Sequence, residues 1–339
     1  MEVLATQMRD TAPPVAPQAP QAGWARRVLG PFYVTGIFWY RFHSWAVAAL
    51  PPWVMAIITV LFTSFFFVAL RNIRAAIAAN LEPVLGPCGW LERQLRIFRT
   101  MWVFAWCLSE RYERLSTNRR FLVRSEGFDH WRALNASGKG FILVTAHIGN
   151  WQVGSMVPAE EEQRQVHVVR EAETDPRAQR FVADLIRGAS CGNYTTHFAE
   201  DPQLGVTLLE ALRQGEIVAL QGDRPRAGGK TVDATLLGKS YALPLGPVAL
   251  ARAAEVPILP VFFFREGRLR YRCAIRPPIH VQRSRDRQAD VEEAAQQIAA
   301  DLQWAITSQP HQWFCFGRAW REREVESAFR QEIRADRAA

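Results

Sequence analysis

The chain has 339 residues, 49% of them apolar, enough to bury one large core or two ordinary ones. Its 41 basic residues, all arginine except Lys139, Lys230 and Lys239, outnumber 33 acidic ones for a formal charge of +8. That surface suits anionic partners: phospholipid headgroups, phosphorylated saccharides, an acidic carrier protein or nucleic acid. The five cysteines, at positions 88, 107, 191, 273 and 315, form no Cys-x-x-Cys pair, so neither a zinc knuckle nor a disulfide framework is indicated and reduced thiols are expected. Cys191, in Ser-Cys-Gly-Asn, reads as structural or incidental.

Residues 1–23 are rich in Ala, Pro and Gln and lack a basic start followed by an apolar run, which predicts a disordered tail and not a cleaved signal peptide. From Phe42 to Leu70 no formally charged residue occurs, and within that stretch Trp53 to Leu70 is an unbroken apolar block of 18 residues. As a helix it would be about 27 Å long, just enough for a hydrocarbon core. Residues 24–75 are therefore expected to form a membrane-associated segment with a transmembrane helix over 53–70. A single span is the favoured reading, and a shallow re-entrant hairpin stays open. Pro51-Pro52 breaks the preceding segment, whose Phe38, Trp39, Tyr40, Phe42 and Trp45 are rings suited to a membrane interface. Arg26, Arg27 and Arg41 precede the block and Arg71 and Arg74 follow it, so charge does not fix its orientation.

Leu91 to Leu115 is a helix candidate with an apolar stripe at Leu95, Phe98, Met101, Trp102, Ala105 and Leu108. The stripe reads first as core, and secondly as a face against a bilayer or an acyl pocket. Phe121–Ser125 is a strand candidate and Phe128–Asn135 a short helix. Phe141 to Ala146, opened by Gly140 and rich in β-formers, predicts a buried central strand. It ends at His147, turns through Gly149 and Asn150, and resumes a helical pattern at Trp151, Val153 and Met156 until Pro158. A titratable side chain just past a buried strand and just before a helix stands where open α/β sheets place their ligands.

Further strands are expected at Gln165–Arg170, Glu216–Gln221, Pro257–Phe264 and Tyr271–Ile275, with helices at Pro176–Arg187, Leu204–Arg213, Val248–Ala254 and Val291–Thr307. This alternation predicts an α/β fold, a mixed central sheet covered by helices. The strand ending at Gln221 leads into Gly222-Asp223-Arg224-Pro225, and the stretch from there to Gly238 reads as polar and Gly-rich. Gly228-Gly-Lys-Thr231 hints at a phosphate loop, but Arg224 replaces the glycine that pattern needs. The arginines do not interleave with aromatics in any nucleic-acid module.

The segment Thr145-Ala-His147-Ile-Gly149-Asn150-Trp151-Gln152 resembles the His-x4-Asp/Glu signature of the lysophospholipid acyltransferase superfamily. More narrowly, it resembles the His-x-Gly-Asn-Trp-Glu of the lauroyl and myristoyl transferases of lipid A biosynthesis, with Gln152 in place of the acid. The resemblance covers most of residues 70–320: Asn80 before Pro83, GKGFILVTAHIGNW, the strand ending at Arg170, VALQGDRP, LPLGPVALA, PILPVF and QPHQWFCFGRAW. It implies an acyltransferase domain over 76–325, followed by a charged tail at 326–339.

The implied activity moves a fatty acyl chain from the thioester of acyl carrier protein or CoA to a hydroxyl or amine of a lipid A precursor or related glycolipid. Its implied place is the cytoplasmic face of a bacterial inner membrane, with no nucleic acid partner, metal or cofactor. By the resemblance, His147 is the base for the acceptor proton, and Arg170 and Asp223 carry over as family site residues. Gln152 can orient the ring through its amide oxygen but gives an imidazolium no negative charge. Asp223 is then the best compensating acid; Glu171 and Glu173 are weaker candidates, and Glu160 to Glu162 read as a solvated rim. Arg170 and Arg224 are expected at a phosphate or pantetheine group. Asn150 and Trp151 either shape the turn or donate to an oxyanion, and Gly149 lets the backbone turn. The competing expectation is a catalytically degenerate relative that binds lipid or scaffolds a lipid or pigment pathway.

Overall fold

The computed structural model describes residues 36–117, 119–154, 164–189, 193–226 and 228–320. The expected tails at 1–23 and 326–339, Arg26, Arg27, Cys191 and Glu160–Glu162 lie outside them. Four helices come first: α1 (Ile37–Ala49), α2 (Pro52–Ala69), α3 (Arg71–Leu85) and the long α4 (Trp90–Ser116). There follow β1 (Leu122–Glu126), α5 (Phe128–Ala136), β2 (Phe141–Thr145), α6 (Trp151–Gly154), β3 (Val166–Arg170), α7 (Pro176–Ala189) and β4 (Tyr194–Phe198). Then come α8 (Leu204–Arg213), β5 (Ile217–Gln221), a hairpin of β6 (Thr231–Leu236) and β7 (Lys239–Pro244), α9 (Gly246–Ala254), β8 (Ile258–Gly267), β9 (Arg270–Ile275), α10 (Arg287–Ser308) and a 3-10 turn over Pro310–Gln312.

Seven strands form one sheet in the order β1-β9-β8-β2-β5-β3-β4, parallel throughout except for the β8–β9 pair. The expected mixed α/β sheet is thus the observed fold. β2 sits at its centre and is apolar along its whole length because both of its faces are covered. Ile142 and Val144 point into a core with Leu208 and Leu212 of α8, Val248 of α9 and Ile298 and Leu302 of α10. Phe141 and Leu143 point the other way, toward Trp131 of α5, Leu259 and Phe263.

Several elements left no clear trace in the sequence, among them β4, the β6–β7 hairpin and α3. β4 is a half-buried edge strand of mostly polar residues with no apolar alternation to betray it. The β6–β7 hairpin lies in the stretch read as polar and Gly-rich; Leu237 and Gly238 both have positive φ there, the backbone a tight two-residue hairpin loop requires. Helix α3 begins one residue after α2 ends, and its arginines masked its apolar face, on which Ile77 and Leu81 are buried.

Candidate active site

The turn that carries His147 is stitched on two sides. Gly149 N–H donates to the Gln312 carbonyl at 3.0 Å, Asn150 N–H to the Phe263 carbonyl at 3.2 Å, and Phe314 N–H to the His147 carbonyl at 2.8 Å. Gly149 has φ +55°, and a Cβ there would overlap the carbonyl oxygen of Phe263. Glycine is therefore required twice over, by backbone conformation and by the closeness of β8. The Gln312 amide in turn brackets the backbone of Arg265 in β8, accepting from its N–H and donating to its carbonyl, each at 2.8 Å.

His147 Nδ1 lies 2.7 Å from Asp223 Oδ1. Asp223 follows β5, the parallel neighbour of β2, so the two side chains leave the carboxyl ends of adjacent strands. The Asp223 side chain is fully buried, whereas the His147 side chain keeps 11% of its surface exposed, so the imidazole has an open edge. Burial alone would raise the Asp223 carboxyl, but the charge and hydrogen bond of His147 and the charge of Arg224 outweigh it and hold the group below the usual carboxylate range. Trp313 Nε1–H donates to Oδ2 at 3.3 Å, and the Tyr241 hydroxyl donates to the Asp223 carbonyl. With Nδ1 given to Asp223, Nε2 is the ring nitrogen left for chemistry.

Gln152 is half-buried in the first turn of α6. Trp151 stands beside it, its ring centroid 4.9 Å from that of His147 and 6.1 Å from that of Phe314. The Trp151 indole N–H and the Thr145 hydroxyl, one on either side of His147 in the chain, are buried without a hydrogen-bond partner. Asn150 differs: its amide donates to the Cys107 carbonyl at 3.0 Å and the Tyr271 hydroxyl at 3.1 Å. Tyr271 donates to Glu110, which also pairs with Arg265 at 2.8 Å. Asn150 thus ties the turn to α4 and β9 and has no donor to spare.

Arg170 ends β3, one strand beyond β5, and pairs with Glu173 at 2.7 Å. Glu173 also accepts from the Tyr40 hydroxyl of α1 at 2.7 Å, so it belongs to this second cluster and not to the His147 ring. The same cluster holds Arg111, a buried guanidinium lying 5.7 Å from the Tyr112 ring. Burial lowers its proton affinity most, and the charge of Arg170 adds to that. Glu110, Arg111, Tyr271 and Trp313 were not singled out from the sequence. Glu110 and Arg111 lie off the apolar stripe of the helix candidate at Leu91–Leu115, in a charge-rich stretch that the packed structure makes interior. Among the described residues no group of three or more His, Cys, Asp or Glu side chains is placed to hold a metal ion.

Two mycobacterial relatives are similar to part of the chain. They are phosphatidylinositol mannoside acyltransferases of Mycobacterium tuberculosis strains CDC 1551 and H37Rv, each 29% identical over 144 residues. The match covers 42% of this chain and 44% of each relative. Residues 23–322 match the bacterial lipid A biosynthesis acyltransferase family, which takes in helices α1 to α4, the whole sheet and the Trp313 segment. By that match the chain belongs to the bacterial lipid A biosynthesis acyltransferases.

Proposed function

We propose that this chain transfers a fatty acyl group from an acyl thioester, on acyl carrier protein or CoA, to a hydroxyl or amine of a membrane glycolipid. The observation that carries the reading is the 2.7 Å contact between His147 Nδ1 and the buried, ionised Asp223 at the carboxyl ends of adjacent parallel strands. In the proposed reaction Nε2 takes the acceptor's proton as its oxygen or nitrogen attacks the thioester carbonyl. The tetrahedral intermediate collapses with cleavage of the C–S bond, and the departing sulfur receives that proton from the imidazolium, giving an ester or amide and a free thiol. Asp223 holds the ring in the tautomer with an open Nε2 and stabilises the imidazolium without itself taking the proton. The Trp151 indole N–H, buried without a partner beside the ring, is assigned to the developing oxyanion. Arg170 and Arg224 are assigned to phosphate groups of the substrates.

The family and the mycobacterial relatives favour an acceptor that is a lipid A precursor or another glycolipid, and the proposed place of acylation is the cytoplasmic face of the inner membrane. Withdrawing a twelve-carbon chain into water costs on the order of 9 kcal/mol, so an apolar surface near the site suits this substrate. The test incubates purified protein with radiolabelled acyl carrier protein or acyl-CoA and candidate lipids, comparing the wild type with His147→Ala. Acyl-lipid formed by the wild type alone supports the reading. Equal product from both removes His147 from the mechanism, and no product from the wild type with any donor or acceptor favours a lipid-binding or scaffolding relative.

A further inference from the structure

Helix α2 is long and apolar enough to cross a membrane, and one side of it packs against the rest of the chain. Its buried side, Met55, Thr59 and Thr63, faces the rest of the chain. Met55 and Ile58 pack in a cluster with Leu108 and Tyr112, near the end of α4, while Phe66 and Phe67 pack with Ile97 and Met101 near its start. The Phe67 ring lies 5.6 Å from that of Phe98. The two helices therefore run antiparallel side by side, in contact over most of the length of α2. The other side of α4 is fixed to the sheet domain all along the same stretch: Thr100 bonds His311 at 3.2 Å, Phe104 packs on Phe314 at 5.1 Å, Cys107 accepts from Asn150, and Glu110 pairs with Arg265. A bilayer surrounding α2 would have to displace α4, and α4 carries Arg93, Arg96, Arg99 and Glu110, which cannot follow it into hydrocarbon. Moreover, the helices at both ends of α2 return to the same body, α1 through Ala46 and Val47 and α3 through Ile77 and Leu81.

We propose that α2 lies in the plane of the membrane as a one-leaflet anchor, with its inner side on α4 and its outer side in the acyl region of an anionic leaflet. This inference rests on the acyltransferase reading only for the choice of a membrane as the surface. The outer side is a continuous strip of Trp53, Ile57, Val60, Leu61, Phe65 and Val68, each at least 44% exposed. Trp45 of α1 and Trp90 and Leu95 of α4 are exposed as well. An interfacial helix ordinarily has one polar side facing water. Here the side away from lipid, which carries Thr59 and Thr63, is covered by protein, so it needs no charged residues and α2 passes for a span. Arg41, Arg71 and Arg93, exposed on the neighbouring α1, α3 and α4, supply positive charge for acidic headgroups. The rings of Trp151, Phe314, Phe104 and Phe316 run in contact from His147 to the cluster under Phe66 and Phe67.

The test places single thiols at the two ends of α2, Ala48→Cys and Asn72→Cys, in full-length protein with Cys88 and Cys191 changed to Ser. A membrane-impermeant maleimide is applied to spheroplasts and to inverted inner-membrane vesicles. An in-plane helix leaves both thiols reactive from the cytoplasmic side alone. Reaction of the two from opposite sides, or recovery of the protein away from membranes, overturns the proposal. Leu61→Asp with Phe65→Asp, whose side chains face outward, is expected to lower binding to phosphatidylglycerol-containing vesicles by about tenfold or more with an unchanged Tm. Undiminished binding also overturns it. Both readouts are independent of turnover and are repeated in His147→Ala, so failure of the acyltransferase reading leaves them intact.

Discussion

Replacing Asp223 by Asn isolates the charge of the His147–Asp223 pair, because the amide keeps the size of the carboxylate and can still accept from Nδ1–H. What is lost is an anion about 4 Å from the centre of the imidazolium that forms as the acceptor is deprotonated. At an effective dielectric constant of about 20, that interaction is worth about 4 kcal/mol, or roughly a thousandfold in rate. The structure gives little ground for a smaller figure: Asp223 is fully buried, and its carboxyl is held ionised by the same neighbours that the substitution leaves in place. An amide that turns its NH2 toward the ring adds the cost of the wrong tautomer, and in a serine-protease triad the equivalent change costs about 10⁴ in kcat. We therefore expect Asp223→Asn to lower kcat between about 10³ and 10⁴ with a small change in KM, since the interaction arises in the transition state. The assay is initial-rate transfer from radiolabelled acyl-CoA or acyl carrier protein to lipid, corrected for the folded fraction of the same sample. A folded variant with kcat within about fivefold of the wild type would refute the assignment of Asp223 as the ring's electrostatic partner.

Gln152→Glu is expected to change kcat by less than about threefold, because Nδ1 already has a carboxylate partner; a gain above about tenfold would show that position 152 governs the ring. Gly149→Ala forces a Cβ onto the Phe263 carbonyl at a positive φ, so thermal unfolding should reveal a loss of about 2 kcal/mol or more together with loss of activity. A Tm within about 1 °C of the wild type would mean that the turn is not held as described. Acid stability should depend on His43, whose pKa is lowered to about 4 by burial and by the charge of Arg111. The unfolded chain takes up this proton as pH falls through 6.5 and the folded one only near 4, so stability is full above pH 6.5 and drains away below it. Between pH 7.5 and 4.5 this one group accounts for about 2 to 3 kcal/mol. In urea titrations at the two pH values, His43→Phe, which keeps the stacking on Tyr112, should lose that part of the difference; an unchanged difference would exclude His43 as its source.

What the sequence disclosed was governed by whether burial left a periodic trace. The central strand, buried on both faces, was legible as an apolar run, and α8 was read with its observed ends, Leu204 and Arg213. β4 and the β6–β7 hairpin were not, since an edge strand of Tyr, Thr and His and a short hairpin need little of the pattern that a core imposes. The apolar block at 53–70 was found within one residue of α2, but composition could not say what lay against it. That depended on α4, where Glu110 and Arg111, off the apolar stripe, become interior once the structure is packed. The site shows the same limit. Asp223 stood out as a carboxylate just past a strand, yet 76 residues separate it from His147, and only the pairing of β2 with β5 brings the two to 2.7 Å.

That pairing also gives a physical account of the glutamine. A carboxylate five residues after the histidine has to be aimed back at the ring by the first turn of α6, which starts at Trp151. A carboxylate just past β5 is fixed instead by the ladder beneath it, where Gly222 N–H bonds the Thr145 carbonyl at 2.8 Å two residues before His147. The Trp313 indole and the Tyr241 hydroxyl then fasten it from the other side. Ring and acid share one rigid edge of the sheet, so on the proposed mechanism the orientation and charge that position 152 would otherwise supply are already present. On that account the two substitutions are expected to differ widely: the neutral change at 223 removes the working charge, and the charged change at 152 adds one where none is needed.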